Sequence, residues 1–125
     1  MRATSTAYVV ASVVGAAHSV RGGRTARFGG VRLPGSPLLH ALTIGTPLSA
    51  PPVMVAAMVW AERRDRPDVT RALAALFVVG ILGEVDTWST LAHPRRSPFT
   101  TALVALDLIL TISIQAEARA RPSAA

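Results

Sequence analysis

Three carboxyls and two imidazoles stand where apolar segments ordinarily have none. Glu84, Asp86 and Asp107 interrupt stretches of Ala, Val, Leu and Ile, while His18 and His40 sit near the ends of two others. Such groups can donate, accept or share a proton, or hold a cation, without a cofactor, so general acid–base chemistry is the reaction class they suit. The segment "GILGEVDTWSTLAHPRRSP" (80–98) poses the question most sharply. Its two acids are either a solvated helix end or part of a buried site.

Magnitudes favour the buried site. An acid at the centre of a membrane helix costs about 2.5–3.5 kcal/mol, and each Leu, Ile, Phe or Val returns about 0.3–0.6 kcal/mol. Residues 69–91 contain ten such residues, a gain of roughly 3–6 kcal/mol that barely covers two acids. The acids are therefore expected to face protein, share a proton or be neutralised. Spacing then separates them, because Glu84 and Asp86 lie about 200° apart around a continuous helix. Glu84 shares a face with Gly80, Thr87 and Trp88 and is the expected buried member. Asp86 shares one with Gly83, Thr90 and His93 and is the expected boundary member. Thr100, Asp107, Thr111 and Gln115 form one inward stripe on the last segment. The central catalytic pair is thus Glu84 and Asp107, with His40 and His18 as proton or hydrogen-bond partners. Trp88, Tyr8, Ser12, Thr46, Ser49, Thr111 and Asp86 are the expected ligand contacts. A purely structural reading remains beside this one, in which the pair only fixes helix register. No HxxH, HxxxH or ExxH spacing supports a metal, and the absence of Cys excludes thiol catalysis and thiolate ligation. No cofactor is expected.

The elements that must position these groups follow from composition. The chain of 125 residues is the length of one domain, here 1–125; half its residues are hydrophobic and only 16% are charged. The mean hydropathy is +0.42. Soluble domains usually carry about a quarter charged residues. Four apolar segments, 4–20, 37–60, 69–91 and 98–117, predict an all-α integral membrane four-helix bundle, multi-pass in a plasma membrane of bacterial type. Except for the first, each reaches the roughly 20 residues that a spanning helix needs. All 13 basic residues are Arg, and they cluster between the apolar segments, where lipid headgroups would meet them. They are not interleaved with stacking aromatics, which argues against nucleic acid. Seven Arg flank one side of the implied topology and six the other, so orientation is undecided.

Local signals place the boundaries. Ser36-Pro37 and Ser97-Pro98 each pair a hydroxyl N-cap with Pro in the first turn, and Asp68 is the expected cap of the third segment. Residues 117–125 form an expected frayed tail. In "TPLSAPP" (46–52), Pro47, Pro51 and Pro52 remove backbone donors from the second segment and predict a kink or break. Thr46 and Ser49 are placed to cap a restarted half-helix. Segment 4–20 imitates a secretory signal, but one Arg precedes it and four follow, the reverse of signal polarity. Its small residues Ala7, Ala11, Gly15 and Ser19 recur at one spacing and offer a close helix approach, in this chain or in a homo-oligomer.

Three function classes follow. The first is an acid–base enzyme of isomerase, cyclase or hydratase type, or a binding protein, for a small lipophilic molecule. The second is a proton-coupled exporter working as an oligomer, and the third is an assembly or scaffold subunit. In length and helix number the chain resembles the small multidrug exporters and the DoxX-like four-helix membrane proteins. The exporters carry their essential Glu in the first helix, which here has no acid, so no residue carries over.

Overall fold

The computed structural model describes residues 2–25, 27–28, 31–46 and 48–122. In chain order its elements are α1 (Ala3–Arg21), β1 (Arg27–Phe28), β2 (Val31–Arg32), α2 (Pro37–Leu42), α3 (Pro52–Arg63), α4 (Pro67–Gly83), α5 (Val85–Ala92) and α6 (Pro98–Ala120). The chain is all-α apart from the antiparallel two-residue strands, which pair Arg27 with Arg32 and Phe28 with Val31. The first and last apolar segments are single helices. The second and third are each split in two.

Start signals act as their chemistry dictates. The Ser36 and Ser97 hydroxyls accept from the amides of Leu39 (3.2 Å) and Thr100 (3.4 Å), with Pro in the first turn of α2 and α6. Asp68 is not a cap. Helix α4 starts two residues before the expected 69, at Pro67, and Asp68 lies in its first turn, paired with Arg66 at 2.9 Å. Helix α6 continues to Ala120, past the expected end at 117. Residues 123–125 of the expected tail lie outside the described residues.

The break in the second segment spans residues 43–51. Pro51 and Pro52 cannot donate, so the helix resumes only where Pro52 can occupy a first turn; Pro47 lies outside the described residues. The intervening backbone satisfies itself. Thr46 and Ser49 exchange both amide–carbonyl bonds at 3.1 Å, and their hydroxyls meet at 2.8 Å. These hydroxyls therefore close their own turn and do not cap α3, whose N-cap, Pro51, has no side-chain bond. The turn leans on α1, where the Ser12 hydroxyl accepts from the Ala50 amide at 3.2 Å. Gly15 permits that approach: a Cβ there would lie 2.9 Å from the Leu48 carbonyl carbon and nearer still to its oxygen. Ala11, Gly15 and Ser19 of the small-residue strip are buried within the chain, and Ala7 is exposed.

The third segment was expected to be continuous and is not. Glu84 is extended (φ −80°, ψ 127°) between α4 and α5. Gly80 and Gly83 weaken the helix just before it, and the Glu84 carboxylate gains partners outside its own helix. The carbonyl of Leu82, deprived of its helical donor, accepts from the Trp88 indole at 2.7 Å.

Polar contacts order the molecule into four legs, α1, α2–α3, α4–α5 and α6, running between two ends. At one end Arg121 pairs with Glu62 (2.9 Å) and Asp65 (3.7 Å), and Glu117 pairs with Arg2 (3.6 Å) and Thr4 (2.7 Å). At the other, His18 and Arg24 reach the Thr100 hydroxyl at 2.9 and 3.4 Å. Helix α6 packs most extensively on α4 and next on α1, while α3 lies against α4. Tyr8, Met58, Phe77 and Ile114 anchor the apolar core.

Beside this apolar core, polar residues are also buried and apolar ones exposed. Among the described residues eleven polar or charged residues are buried, including Ser5, Thr70, Thr87, Thr100 and Thr111, while nineteen large apolar residues are exposed. Val10, Val13, Val14, Leu76, Val79, Leu106, Ile109 and Ile112 face outward along the middles of α1, α4 and α6. Helix α6 alone among the described helices is long and apolar enough to cross a membrane.

Candidate functional site

The two helix breaks open a cavity of about 280 Å³ beside α6. Its apolar wall comes from Leu48, Met54, Leu76 and Phe77, and its polar groups are Tyr8, Thr46, Ser49, Glu84 and Asp107. Phe77 tilts against the Tyr8 ring with centroids 5.0 Å apart, so the wall beside the acids is aromatic. The break in the second segment rests on α1 through Ala50 and Ser12 and forms one wall of the cavity with Ile44, Thr46, Leu48 and Ser49.

Glu84 and Asp107 both line the cavity, but their surroundings differ. Glu84 is 4% exposed, and its two carboxylate oxygens accept from the Arg27 amide at 2.9 and 3.1 Å. A charge-assisted bond of this kind ties the first linker to the break between α4 and α5. Asp107 is 5% exposed, and its Oδ1 has no hydrogen-bond partner among the described residues. Its own carbonyl accepts from Thr111 at 2.8 Å, a bond to backbone that does nothing for Oδ1. A buried acceptor without a donor costs about 1–3 kcal/mol. That cost is what a ligand bearing a donor or a positive charge would relieve.

The remaining predicted residues lie elsewhere. The His18 Nε2 bonds to Thr100 and its ring stands edge-on to Phe99 at 4.9 Å. The buried His40 ring donates to the Pro34 carbonyl at 2.9 Å. Neither histidine lines the cavity. Ser12 supports the turn, and Thr111 spends its hydroxyl on the carbonyls of Asp107 and Leu108. Trp88 was expected on the face of Glu84. The break rotates α5 away, and Trp88 is 56% exposed. Asp86 lines a second, polar cavity at the same end of the molecule. No group of three His, Asp or Glu among the described residues is arranged to hold a metal ion.

Several lining residues carry no sequence signal. Leu33 and Ile44 reach the cavity from connecting segments, where apolar periodicity says nothing about direction. Arg27 holds Glu84 through its backbone amide, a contact that side-chain type does not announce. The hairpin that presents it has a readable cue, the Gly-Gly pair between Phe28 and Val31. Comparison with protein-family models, curated proteins and solved structures finds no match to this chain.

Proposed function

We propose that the chain is a four-span integral membrane protein whose cavity receives a small, largely apolar molecule and sets the polar end of that molecule against Asp107. The observation that carries the reading is the buried Asp107, whose Oδ1 has no hydrogen-bond partner among the described residues, on a largely apolar cavity of about 280 Å³. Intramembrane acids are costly and are retained where they act. The exposed Val, Leu and Ile at the middles of the legs support the membrane, since they suit acyl chains. Two spans are broken helices, so neither piece alone is long enough to cross, and α1 carries Thr4, Ser5, Thr6, Ser12 and Ser19. Irregular backbone at such depth is tolerated where its polar groups are met by protein, as they are between Thr46 and Ser49.

The chemistry this site can supply is proton transfer, or stabilisation of a cation, at the Asp107 carboxyl. Glu84 serves chiefly as the clasp of the first linker, because its oxygens already hold the Arg27 amide. Isomerisation, cyclisation or hydration of a lipophile would need no more than such an acid or base. The test has two parts. The chain should sediment with membranes and resist alkaline extraction. Lipophilic molecules that co-purify with the wild type, identified by mass spectrometry, should be absent from folded Asp107→Asn. An identical lipophile content in both proteins would refute the ligand assignment.

A further inference from the structure

We propose that the second cavity, between α5, the first linker and the start of α6, binds a phosphate group, supplied by the headgroup of an anionic phospholipid. Its volume is about 260 Å³, several times the ~30 Å³ share of one water. Arg24 and Arg96 converge on it, with the imidazole of His93 between them in sequence and the hydroxyls of Ser89 and Thr90 alongside. Neither arginine forms an ion pair among the described residues. The Arg24 guanidinium is steadied by its 3.4 Å bond to Thr100, and His93 Nδ1 donates to the Ser89 carbonyl at 3.3 Å.

A second feature points the same way. Ser97, the N-cap of the 23-residue α6, also lines this cavity. The positive end of that helix dipole therefore adds to the arginines, and helix N-termini with Arg forks are recurrent phosphate sites. Asp86 is the single acid in the lining and sets the sign of the test. Leu91 and Phe99, exposed on the same two helices, offer apolar surface beside the polar pocket for the chains of a lipid. The lipid source of the phosphate rests on the membrane reading; the phosphate chemistry does not.

The experiment uses the full chain. Sedimentation with membranes is scored first, so that failure of the membrane reading is seen separately. The protein is then placed in nanodiscs of equal phosphatidylglycerol and phosphatidylcholine, released, and its retained lipid measured by native mass spectrometry. Phosphatidylglycerol should be retained preferentially. That preference should fall roughly fivefold in Arg96→Gln and about thirtyfold in Arg24→Gln/Arg96→Gln, from the ~1 kcal/mol that each basic residue contributes near an anionic surface. Asp86→Asn should raise it. Should Arg24→Gln unsettle the bundle, Arg96→Gln, which breaks no side-chain hydrogen bond among the described residues, carries the test. In detergent, glycerol phosphate titrated against the wild type that still carries its retained phosphatidylglycerol separates the sources. Weak binding, with lipid retained, assigns the site to headgroups, whereas displacement of the lipid by glycerol phosphate overturns the lipid assignment. Equal retention of the two lipids by the wild type, an unchanged preference in Arg96→Gln, or loss of the anionic lipid in Asp86→Asn would overturn the site.

Discussion

Replacing Asp107 with Leu should make the protein more stable while emptying its cavity of ligand. The Asp107 Oδ1 is buried without a partner among the described residues, and removing an unsatisfied buried acceptor recovers about 1–3 kcal/mol. A leucine is bulkier than an aspartate, and in a tight core that difference would be repaid as strain. Here the side chain borders about 280 Å³ of open volume, so the extra methyl groups have somewhere to go. A net gain of about 2 kcal/mol corresponds to a rise of roughly 6–10 °C in Tm for a chain of this size. Unfolding in detergent micelles, followed through Trp60 and Trp88, measures the shift. Mass spectrometry of co-purifying lipophiles gives the second readout. A Tm that falls by a similar amount would mean that Asp107 is held by partners within the folded chain. The carboxyl would then be a structural lock, and its assignment to a ligand would be refuted.

Other perturbations follow from single contacts. Gly15→Ala puts a methyl group against the Leu48 carbonyl, where backbone must yield, and should cost about 1–3 kcal/mol. Gly80→Ala meets nothing within 4 Å and should instead gain about 0.5–1 kcal/mol from helix propensity, the pair being compared by thermal unfolding. Glu84→Gln replaces a charged acceptor of the Arg27 amide with a neutral one, a loss of about 1 kcal/mol. Hydrogen exchange at Arg27 should accelerate about fivefold while α6 amides stay protected. Arg121→Gln leaves Glu62, whose side chain is 2% exposed, without its ion-pair partner. A loss of about 2–3 kcal/mol is expected, with the C-terminal turn of α6 first to become protease-sensitive.

The four apolar segments, their Ser-Pro starts and the inward turn of Asp107 are legible in the sequence because each depends on neighbours within a turn or two. The helix breaks are legible only in part. Pro51 and Pro52 announce one, and the detour of 43–51 onto α1 depends on Gly15, more than a linker away. The break at Glu84 has weaker local warning, two glycines, and the partner its carboxylate meets there, the Arg27 amide, lies across the fold. The placement of Trp88 fails for the same reason: helical periodicity beyond Glu84 assumes a continuous axis. His18 and His40 read as partners of the acids because they share an end of the molecule with them. Their rings are claimed locally by Thr100 and Pro34, at distances no spacing rule encodes.

The break in the second segment carries much of its own wiring into the cavity wall. Thr46 and Ser49 satisfy each other's amides and hydroxyls, while the bond from Ala50 to Ser12, the close approach at Gly15 and the packing of buried Leu48 against Leu103 and Val104 seat it. A guest in the neighbouring cavity would meet polar groups on this wall that are already engaged, which leaves the Asp107 Oδ1, among the described residues, as the buried acceptor still open to it.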